Sequence, residues 1–576
     1  MKQLNSFVLT SKLNIVTLTP DFFPGGIMSV RNGIVLLVAL STLLFLAACG
    51  GNGASIATPV APPSGAFSNS NLNGTYVFSI SGTDANGAPY AMVGTLTANG
   101  SGGNGKGGIT AGTLDINDSA VFSSPAAGVS INSNSTYSVT SDGRGQAVIG
   151  TNITSVNPGQ TFPNLTFDFV LQDSSHGLIT EFDSFGSGSG TLDLQASGVT
   201  PTGSYAFSLS GASSSSGSPW ATVGDFTLAG AAMSGEDDFN ESGLAFPAST
   251  LTGSLALGPS STPATTLSVS ASSGSVFSGT FDTFAIDATH LKFIEMDSTA
   301  TLSGDAYSQT TPTISAGTLA FTLAGNEFAA GGLMVTNGAG GITGTEDYNV
   351  QGTNVSSQSS PVPFTAAYAV DSTNAGRYTL SSFATFEGGT SYAAYPSSGG
   401  VLLLEIDNSG ISVGAAYPQT AGAALAASQG YGMNLSGVNL ASTGGAVEVD
   451  DIAEFTAASG GVLSNGIIDE NFDPGGSPTL GVALSSGTYG TIGSGGRYGI
   501  SATAANNNSG TLLGGFTLTF YAVDGTTFPF IEVDPGQVST GVIVLQSPSA
   551  SSSAIAHPSM FVVHPLIRAK TRQKKS

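Results

Sequence analysis

Eight acidic residues recur as Glu-x-Asp pairs at four places along the chain. They are Glu181 and Asp183, Glu295 and Asp297, Glu405 and Asp407, and Glu532 and Asp534. Two residues apart on a β-strand, both carboxylates of a pair point to the same side. One interpretation is a cation site, for calcium, because hard cations bind several oxygen ligands. The alternative is that the carboxylates accept hydrogen bonds from turn amides or pair with arginine.

A second motif, Gly-x-x-Asp-x-Asn, also occurs four times and would complete such a cation site. Its acid and amide residues are Asp115 and Asn117, Asp238 and Asn240, Asp347 and Asn349, and Asp469 and Asn471. A Gly followed five residues later by Gln is a third recurrent motif, ending at Gln195, Gln309, Gln419 and Gln546.

Basic residues are rare in the body of the chain, where 36 acidic residues between positions 50 and 550 face five basic ones. Three of these five, Arg144, Arg377 and Arg497, occupy the same Gly-Arg position in different repeats, and the second repeat lacks it. The guanidinium fork binds a carboxylate through two parallel hydrogen bonds. We therefore expect a structural ion pair inside each repeat that has the arginine, with Glu-x-Asp as its partner, and favour it over a metal site. Glu295 and Asp297 of the second repeat need another partner or are solvated.

Catalytic residues are not indicated. Of the four histidines, His176 and His290 lie five residues before a Glu-x-Asp glutamate, and no nucleophile motif stands near them. The paired carboxylates of a glycosidase come from different strands of one cleft, whereas here each repeat has its own pair. The sequence predicts no enzyme and no required cofactor.

The recurrent motifs follow the same order four times, which indicates four copies of one unit. Each unit is roughly 110 to 125 residues long, the size of an independent domain. We place the repeats at residues 72–198, 199–314, 315–424 and 425–548.

Within a repeat, short segments alternate apolar and polar residues with period 2, as half-buried antiparallel strands do. The first repeat contains about eight such segments, joined by turns rich in Gly, Asn, Asp and Ser. The predicted fold is all-β, with four tandem antiparallel meanders that each close into a small barrel. A two-sheet sandwich is the alternative, and closure is favoured because it removes exposed strand edges.

The N-terminal region has the features of an export signal. Residues 33–48 are apolar, too few for a membrane span, and are followed by the only cysteine in Leu46-Ala47-Ala48-Cys49. This segment resembles the lipobox of bacterial lipoproteins, which implies acylation of Cys49 after removal of residues 1–48. Met28 is the expected start, residues 49–71 a flexible tether, and residues 549–576 a disordered basic tail.

Composition excludes several partners. Only 9% of the 576 residues are charged and the net charge is -24, so the chain lacks the basic surface that nucleic acid requires. One cysteine excludes a disulfide framework and a zinc site with several thiolates.

The repeat region, roughly residues 72 to 548, resembles uncharacterised tandem β-repeat lipoproteins of acidobacteria, whose repeats begin with strands like Gly74-Thr-Tyr-Val-Phe-Ser. The resemblance implies export and repeat architecture, with no known activity. We expect a lipid anchor in the membrane, at the outer membrane or cell surface. The expected role is structural, adhesive or multivalent binding of an extracellular polymer or envelope component. The alternative is small-ligand or polysaccharide binding in the barrel lumens, with or without calcium.

Overall fold

A computed structural model describes residues 57–549, except 102–104, 155, 160–161, 215, 260–264, 272–273, 384–389, 441–445, 474–477 and 505–514. The described residues form one short 3₁₀ helix, Asn69–Asn71, and 34 antiparallel strands. Among them there is no helix of the length and apolarity needed to cross a membrane. The all-β prediction is confirmed.

The first two barrels are built from consecutive strands. Barrel 1 consists of β1 (Asn73–Asp84), β2 (Pro89–Asn99), β3 (Gly107–Asp118), β4 (Ala126–Ser130), β5 (Thr136–Val139), β6 (Arg144–Ile149), β7 (Leu165–Leu171), β8 (His176–Glu181) and β9 (Gly186–Leu194). Barrel 2 consists of β10 (Gly203–Ser213), β11 (Pro219–Ala229), β12 (Ala232–Glu241), β13 (Leu244–Ser254), β14 (Thr265–Ala271), β15 (Gly274–Ala285), β16 (His290–Glu295) and β17 (Ala300–Ser308).

The last two barrels repeat this arrangement. Barrel 3 consists of β18 (Gly317–Gly325), β19 (Phe328–Thr336), β20 (Gly341–Val350), β21 (Asn354–Val355), β22 (Val362–Val370), β23 (Tyr378–Phe383), β24 (Thr390–Ser397), β25 (Gly400–Glu405) and β26 (Ser412–Pro418). Barrel 4 consists of β27 (Gln429–Asn439), β28 (Val447–Ala458), β29 (Val462–Asp473), β30 (Thr479–Thr491), β31 (Arg497–Ala504), β32 (Phe516–Tyr521), β33 (Thr527–Glu532) and β34 (Gln537–Leu545).

Each sheet closes on itself. The first strand of a barrel pairs with both the second and the last, so β1 lies between β2 and β9, and β10 between β11 and β17. In barrels 1 and 3 the ring closes through β2–β3 and β19–β20, and β4 and β21 are extra strands on β3 and β20. The barrel prediction is therefore confirmed over the sandwich.

Apolar side chains fill the lumens. In barrel 1 the inward positions of β1 are Tyr76, Phe78 and Ile80, which pack with residues from the other strands in one buried cluster. Gly94 lies opposite Phe78, and a Cβ there would stand 2.9 Å from the ring, so the glycine makes space for it. Barrels 2, 3 and 4 have equivalent clusters. A ligand in the lumens, our alternative hypothesis, would have to displace this core.

The outer face of each barrel packs on the next barrel. Barrels 1 and 2 meet through Val77, Val93, Phe284, Ile294 and Met296, among others. Similar apolar clusters join barrels 2 and 3, barrels 3 and 4, and barrels 4 and 1. The four junctions therefore form a closed ring, in which the last barrel contacts the first.

Candidate functional site

The asparagine of each Gly-x-x-Asp-x-Asn motif reaches across a junction. Asn117 Nδ2 donates hydrogen bonds to the carbonyls of Glu295 and Ala300, each at 2.8 Å. The equivalent donors are Asn240 to Glu405 and Gly410, Asn349 to Glu532, Asp534 and Gln537, and Asn471 to Glu181, Asp183 and Gly186. Each amide therefore binds the Glu-x-Asp turn of the next barrel, and the fourth binds the first.

The recurrent glutamines make a second set of junction bonds. Gln195 Nε2 donates to the carbonyl of Ala285 at 2.8 Å. The others bond to carbonyls of the following barrel, Gln309 to Gly376 and Pro396, Gln419 to Gly495 and Ala522, and Gln546 to Asp142 and Leu171. Two of the recurrent motifs thus hold the ring together.

The Glu-x-Asp glutamates point into the lumens. Each is fully buried and pairs across the ladder with a core residue, as Glu181 does with Phe167 and Glu532 with Leu518. Burial, with the charge of the adjacent aspartate, raises the pKa of Glu295 to about 10 and that of Glu181 well above its ordinary value. Glu295 is therefore protonated near pH 7, and the shift of the Glu181 pKa favours its protonated form. Glu405 occupies the same position in barrel 3.

The Glu-x-Asp aspartates cap turns. Asp183 accepts hydrogen bonds from the amides of Thr166 and Phe185, at 2.6 and 2.7 Å. The equivalent acceptors are Asp297, for Thr280 and Thr299, Asp407, for Ser391 and Ser409, and Asp534, for Thr517. In the described part of the chain no group of three or more His, Cys, Asp or Glu side chains is arranged to hold a metal ion. Burial favours the protonated glutamate in barrels 1, 2 and 4, and the aspartates are bonded to backbone amides, so these pairs do not present the oxygen set that calcium requires.

The arginines pair with a different motif from the one we expected. Arg144 Nη1 lies 2.7 Å from Asp469 of barrel 4, and its Nε lies 3.1 Å from Asp142. Arg377 binds Asp238 of barrel 2 through Nε and Nη2, each at 2.7 Å.

Arg497 completes the set, with Nε 2.6 Å from Asp347 of barrel 3. The expected pairing within a repeat, with Glu181 or Asp183, is therefore wrong. The arginines lie on the junction face, whereas the glutamates point into the lumens and the aspartates are bonded to backbone amides.

The junction between barrels 1 and 2 has no arginine, because the second repeat lacks the Gly-Arg pair. In its place Asp115 of barrel 1 shares a hydrogen bond with Asp282 of barrel 2. Burial and this bond raise the pKa of Asp115 to about 8. A carboxyl pair that shares a proton thus replaces the ion pair.

A cluster of ionisable residues lies beside the centre of the ring. A cavity of about 80 Å³ is lined by Ser79, His176 and Asp193 of barrel 1, Asp305 of barrel 2 and Asn434 of barrel 4, among others. Since barrels 2 and 4 are not neighbours in the ring, a cavity that both line must lie at its centre. We call it the central cavity.

Lys292 connects the two aspartates of the cluster. Its Nζ lies 2.9 Å from Asp305 and 3.9 Å from Asp193, and the side chain is fully buried. His176 Nδ1 is 3.1 Å from Asp193, and His290 Nε2 is 2.6 Å from Asp305. Burial alone would raise the pKa of Asp193, but the His176 hydrogen bond and the Lys292 charge lower it. Burial would lower the pKa of His176, and Asp193 raises it.

A larger cavity, of about 220 Å³, lies where barrels 4 and 1 meet. We call it the junction pocket. Its wall includes Arg144, Gln146 and Asp168 of barrel 1 and Asp469 and Leu480 of barrel 4. Gln146 Nε2 donates to Asp168 Oδ1 at 2.9 Å. Burial and the Asp469 charge raise the pKa of Asp168 well above its ordinary value.

Sequence reasoning did not identify Asp168, Gln146 or the central lysine as site residues. Lys292 carried a usable signal, since it is one of only five bases in an acidic body. Gln146 carried none, and Asp168 recurs only as Asp282, in the Thr-Phe-Asp sequence that barrels 1 and 2 share. Cys49, the predicted lipidation site, lies outside the described residues.

The chain has few detectable relatives among known proteins. No family model matches the chain, and no curated protein matches it. Among solved structures, the chain is similar to the isotype 1 transferrin binding protein B (TbpB) from serogroup B Neisseria meningitidis, with 9% sequence identity and a TM-score of 0.19. The match covers 65% of this chain and 84% of that one. A likeness of this size carries no argument about function.

Proposed function

We propose that the chain is an exported lipoprotein of the cell envelope, anchored through acylated Cys49, with a binding or scaffold role and no catalysis. The observation that carries the non-catalytic role is the use of the recurrent polar residues. The asparagines, glutamines and arginines join barrels, and the Glu-x-Asp aspartates cap turns. The polar residues that recur along this chain therefore hold the barrels together, as expected of a scaffold.

The recurrent residues do not provide the four equal binding sites that a multivalent role would need. Four equal, weak sites on one chain would gain avidity from effective concentration. The recurrent asparagines and glutamines bond to neighbouring barrels, the glutamates are buried in the lumens and the aspartates bond to turn amides, so these side chains are already engaged within the protein. Binding of an extracellular polymer or envelope component must then use features that differ between barrels.

Metabolic labelling with clickable palmitate tests the anchor. Cells that express the full chain should yield a labelled band, and Cys49→Ser should abolish it, because this is the only cysteine. Ser55→Ala, in the same tether, is the matched control and should remain labelled. Label on Cys49→Ser, or none on the parent chain, would contradict the anchor.

An array of glycans and matrix polymers tests the binding role. The full chain in detergent should bind a subset of the array at levels above those of a detergent-only control. A uniformly blank array would contradict a role in polymer binding and leave the anchor result unaffected.

A further inference from the structure

The junction pocket differs from the other two arginine junctions in its unused hydrogen-bonding groups. At the junction of barrels 3 and 4, all three guanidinium nitrogens of Arg497 donate, to Asp347 and to the carbonyls of Gln358 and Ile492. Arg377 likewise uses Nε, Nη1 and Nη2, on Asp238 and Asp371.

Arg144 leaves one nitrogen unused. Its Nε and Nη1 bond to Asp142 and Asp469, while Nη2 has no hydrogen bond to any residue that the structure describes. Asp168, which is 1% exposed, lines the same pocket, and its buried Oδ2 has no partner among the described residues. One buried polar atom of this cavity, Asp168 Oδ2, therefore lacks the bond that buried polar groups normally make, and Arg144 Nη2 is unused beside it.

The residue paired with the junction arginine differs between barrels 4 and 1. In barrel 4 the residue paired with Arg497 across the ladder is Tyr521, whose hydroxyl donates to Asp347 at 2.8 Å. The residue paired with Arg144 in barrel 1 is Val170, which has no hydroxyl to offer Asp469. Asp469 accepts instead from Arg144 Nη1 and from the amide of Gly481, and it lines the junction pocket.

The charges in the pocket define the ligand class. The Arg144 cation already faces two carboxylates, Asp142 and Asp469, so no net positive charge remains to attract an anion. Burial and the Asp469 charge raise the pKa of Asp168, which favours the protonated carboxyl that can both donate and accept. Gln146 and Ser138 add an amide and a hydroxyl, and Leu480 and Pro59 add apolar surface. Neutral donors and acceptors beside apolar surface suit a hydroxyl-rich ring.

We propose that the junction pocket binds one neutral sugar residue of an extracellular saccharide, through Arg144, Asp168 and Gln146. The proposal rests on the function proposed above and names its ligand. The cavity of about 220 Å³ is smaller than the roughly 300 to 1,000 Å³ of pockets for drug-sized ligands. It therefore admits one ring and leaves the rest of a chain outside.

Saturation-transfer NMR on the full chain in detergent tests the proposal. The probes are the methyl glycosides of glucose, galactose, mannose and N-acetylglucosamine, with glucuronate and inorganic phosphate as anionic comparisons. At least one neutral glycoside should receive saturation, and neither anion should compete with it. Competition by either anion, or no transfer to any neutral glycoside, would overturn the proposal.

Asp168→Thr provides the matched variant, because barrel 4 has Thr519 at the same ladder position. Asp168 precedes Phe169 as Thr519 precedes Phe520, and each pairs with the residue before its Glu-x-Asp glutamate. The variant should weaken binding about tenfold or more, while Thr519→Ala should not change it. Gln146→Leu, at a half-buried position, is the second variant if Asp168→Thr does not fold. Unchanged affinity in a folded variant would overturn the proposal, and palmitate labelling at Cys49 would be unaffected.

Discussion

Arg144 of the first barrel and Asp469 of the fourth form a buried ion pair with an N–O distance of 2.7 Å, although 325 residues separate them in the sequence. Bringing distant segments together costs loop-closure entropy, and this cost rises slowly with length. The pair therefore stabilises the contact that turns a row of barrels into a ring. The equivalent ion pairs at two other junctions join barrels that are consecutive in the chain. They are Arg377 with Asp238 and Arg497 with Asp347.

Removal of the arginine should destabilise the ring-closing junction. Arg144→Gln leaves the Asp469 carboxylate buried without its cation, which typically costs about 3 to 5 kcal/mol. We expect a lower urea midpoint for the unfolding step that includes barrels 1 and 4. Lys106→Gln, an exposed base in the same barrel, should stay within about 0.5 kcal/mol of the parent chain. Equal effects of the two substitutions would contradict a structural role for the pair.

The carboxyl pair between barrels 1 and 2 should make stability fall as pH rises. The unfolded chain releases the Asp115 proton near pH 3.8, whereas the folded chain holds it up to a pKa of about 8. Between these values the folded state binds more protons, so the free energy of unfolding declines, by up to about 1.4 kcal/mol per pH unit for one proton.

Asparagine substitution tests this slope. Asp115→Asn cannot titrate, and its amide can still donate to Asp282, so the decline between pH 4 and 8 should become shallower. Asp282→Asn should have the same effect, and the double variant should add nothing, because the two residues share one proton. Urea unfolding at a series of pH values gives the slopes. A slope equal to that of the parent chain in both single variants would refute the shared proton.

The central lysine should matter only while its acidic partner is present. Lys292 pairs across the ladder with Asp305, and the matching pair in barrel 3 is Leu402 with Ala415. Lys292→Leu leaves Asp305 buried beside His290 alone, and we expect a loss of about 3 to 5 kcal/mol. Lys292→Leu with Asp305→Ala copies barrel 3 and should recover most of that loss. The double-mutant cycle is measured by chemical unfolding at pH 7, and additive losses would contradict the coupling.

Acid should weaken this same cluster. The folded-state pKa values of Asp193 and Asp305 are lowered below 3.8 by their histidine and lysine partners, despite burial. The stability they contribute is present above pH 3.8 and is lost as pH falls through the lower folded values. Lys292→Leu should therefore reduce the acid dependence of unfolding below pH 4.

The junction asparagines should contribute similarly at each of the four positions. Asn471→Ala removes the donor to the carbonyls of Glu181 and Gly186, both at buried positions, which should cost about 1 to 3 kcal/mol. Asn117→Ala should cost a comparable amount, while Asn408→Ala, at an exposed turn, should cost little. Thermal unfolding of the three variants checks this. A neutral Asn471→Ala would contradict the role of the amide in the junction.

Strand periodicity and the recurrent motifs were sufficient to predict the barrels, because both are local features of the sequence. The partners of the motifs were not predictable in the same way. Asn117 and Arg144 belong to one repeat, but each binds a residue of another, and nothing in a local period shows which repeats are neighbours. The Glu-x-Asp pair illustrates a second limit. The pattern predicts that both carboxylates share one face of a strand, which is wrong, because each strand ends at the glutamate and the aspartate lies in the turn that follows. The lumen side of Glu181 is evident only from its pairing with Phe167.

The ionisable cluster and the junction pocket were harder still to predict, since they arise where the repeats differ. His176 and His290 repeat in two barrels, and Lys292 occurs in one. Val170 is informative only beside Tyr521, a comparison that requires the ladder register of both barrels. The residues that differ between repeats form the ionisable cluster and the junction pocket, whereas the residues common to all repeats form the barrels and their junctions.

A closed ring has no terminal unit. Linear repeat arrays need atypical end units that shield their exposed faces from solvent. Here Asn471 of barrel 4 donates a hydrogen bond to the carbonyl of Glu181 in barrel 1. Every barrel therefore donates to one neighbour and accepts from the other. Four junctions must together complete one revolution, about a quarter turn each. The copy number is therefore set by geometry, and deletion or duplication of a single barrel would leave two junction faces, each with an apolar cluster and buried carboxylates, with nothing to cover them.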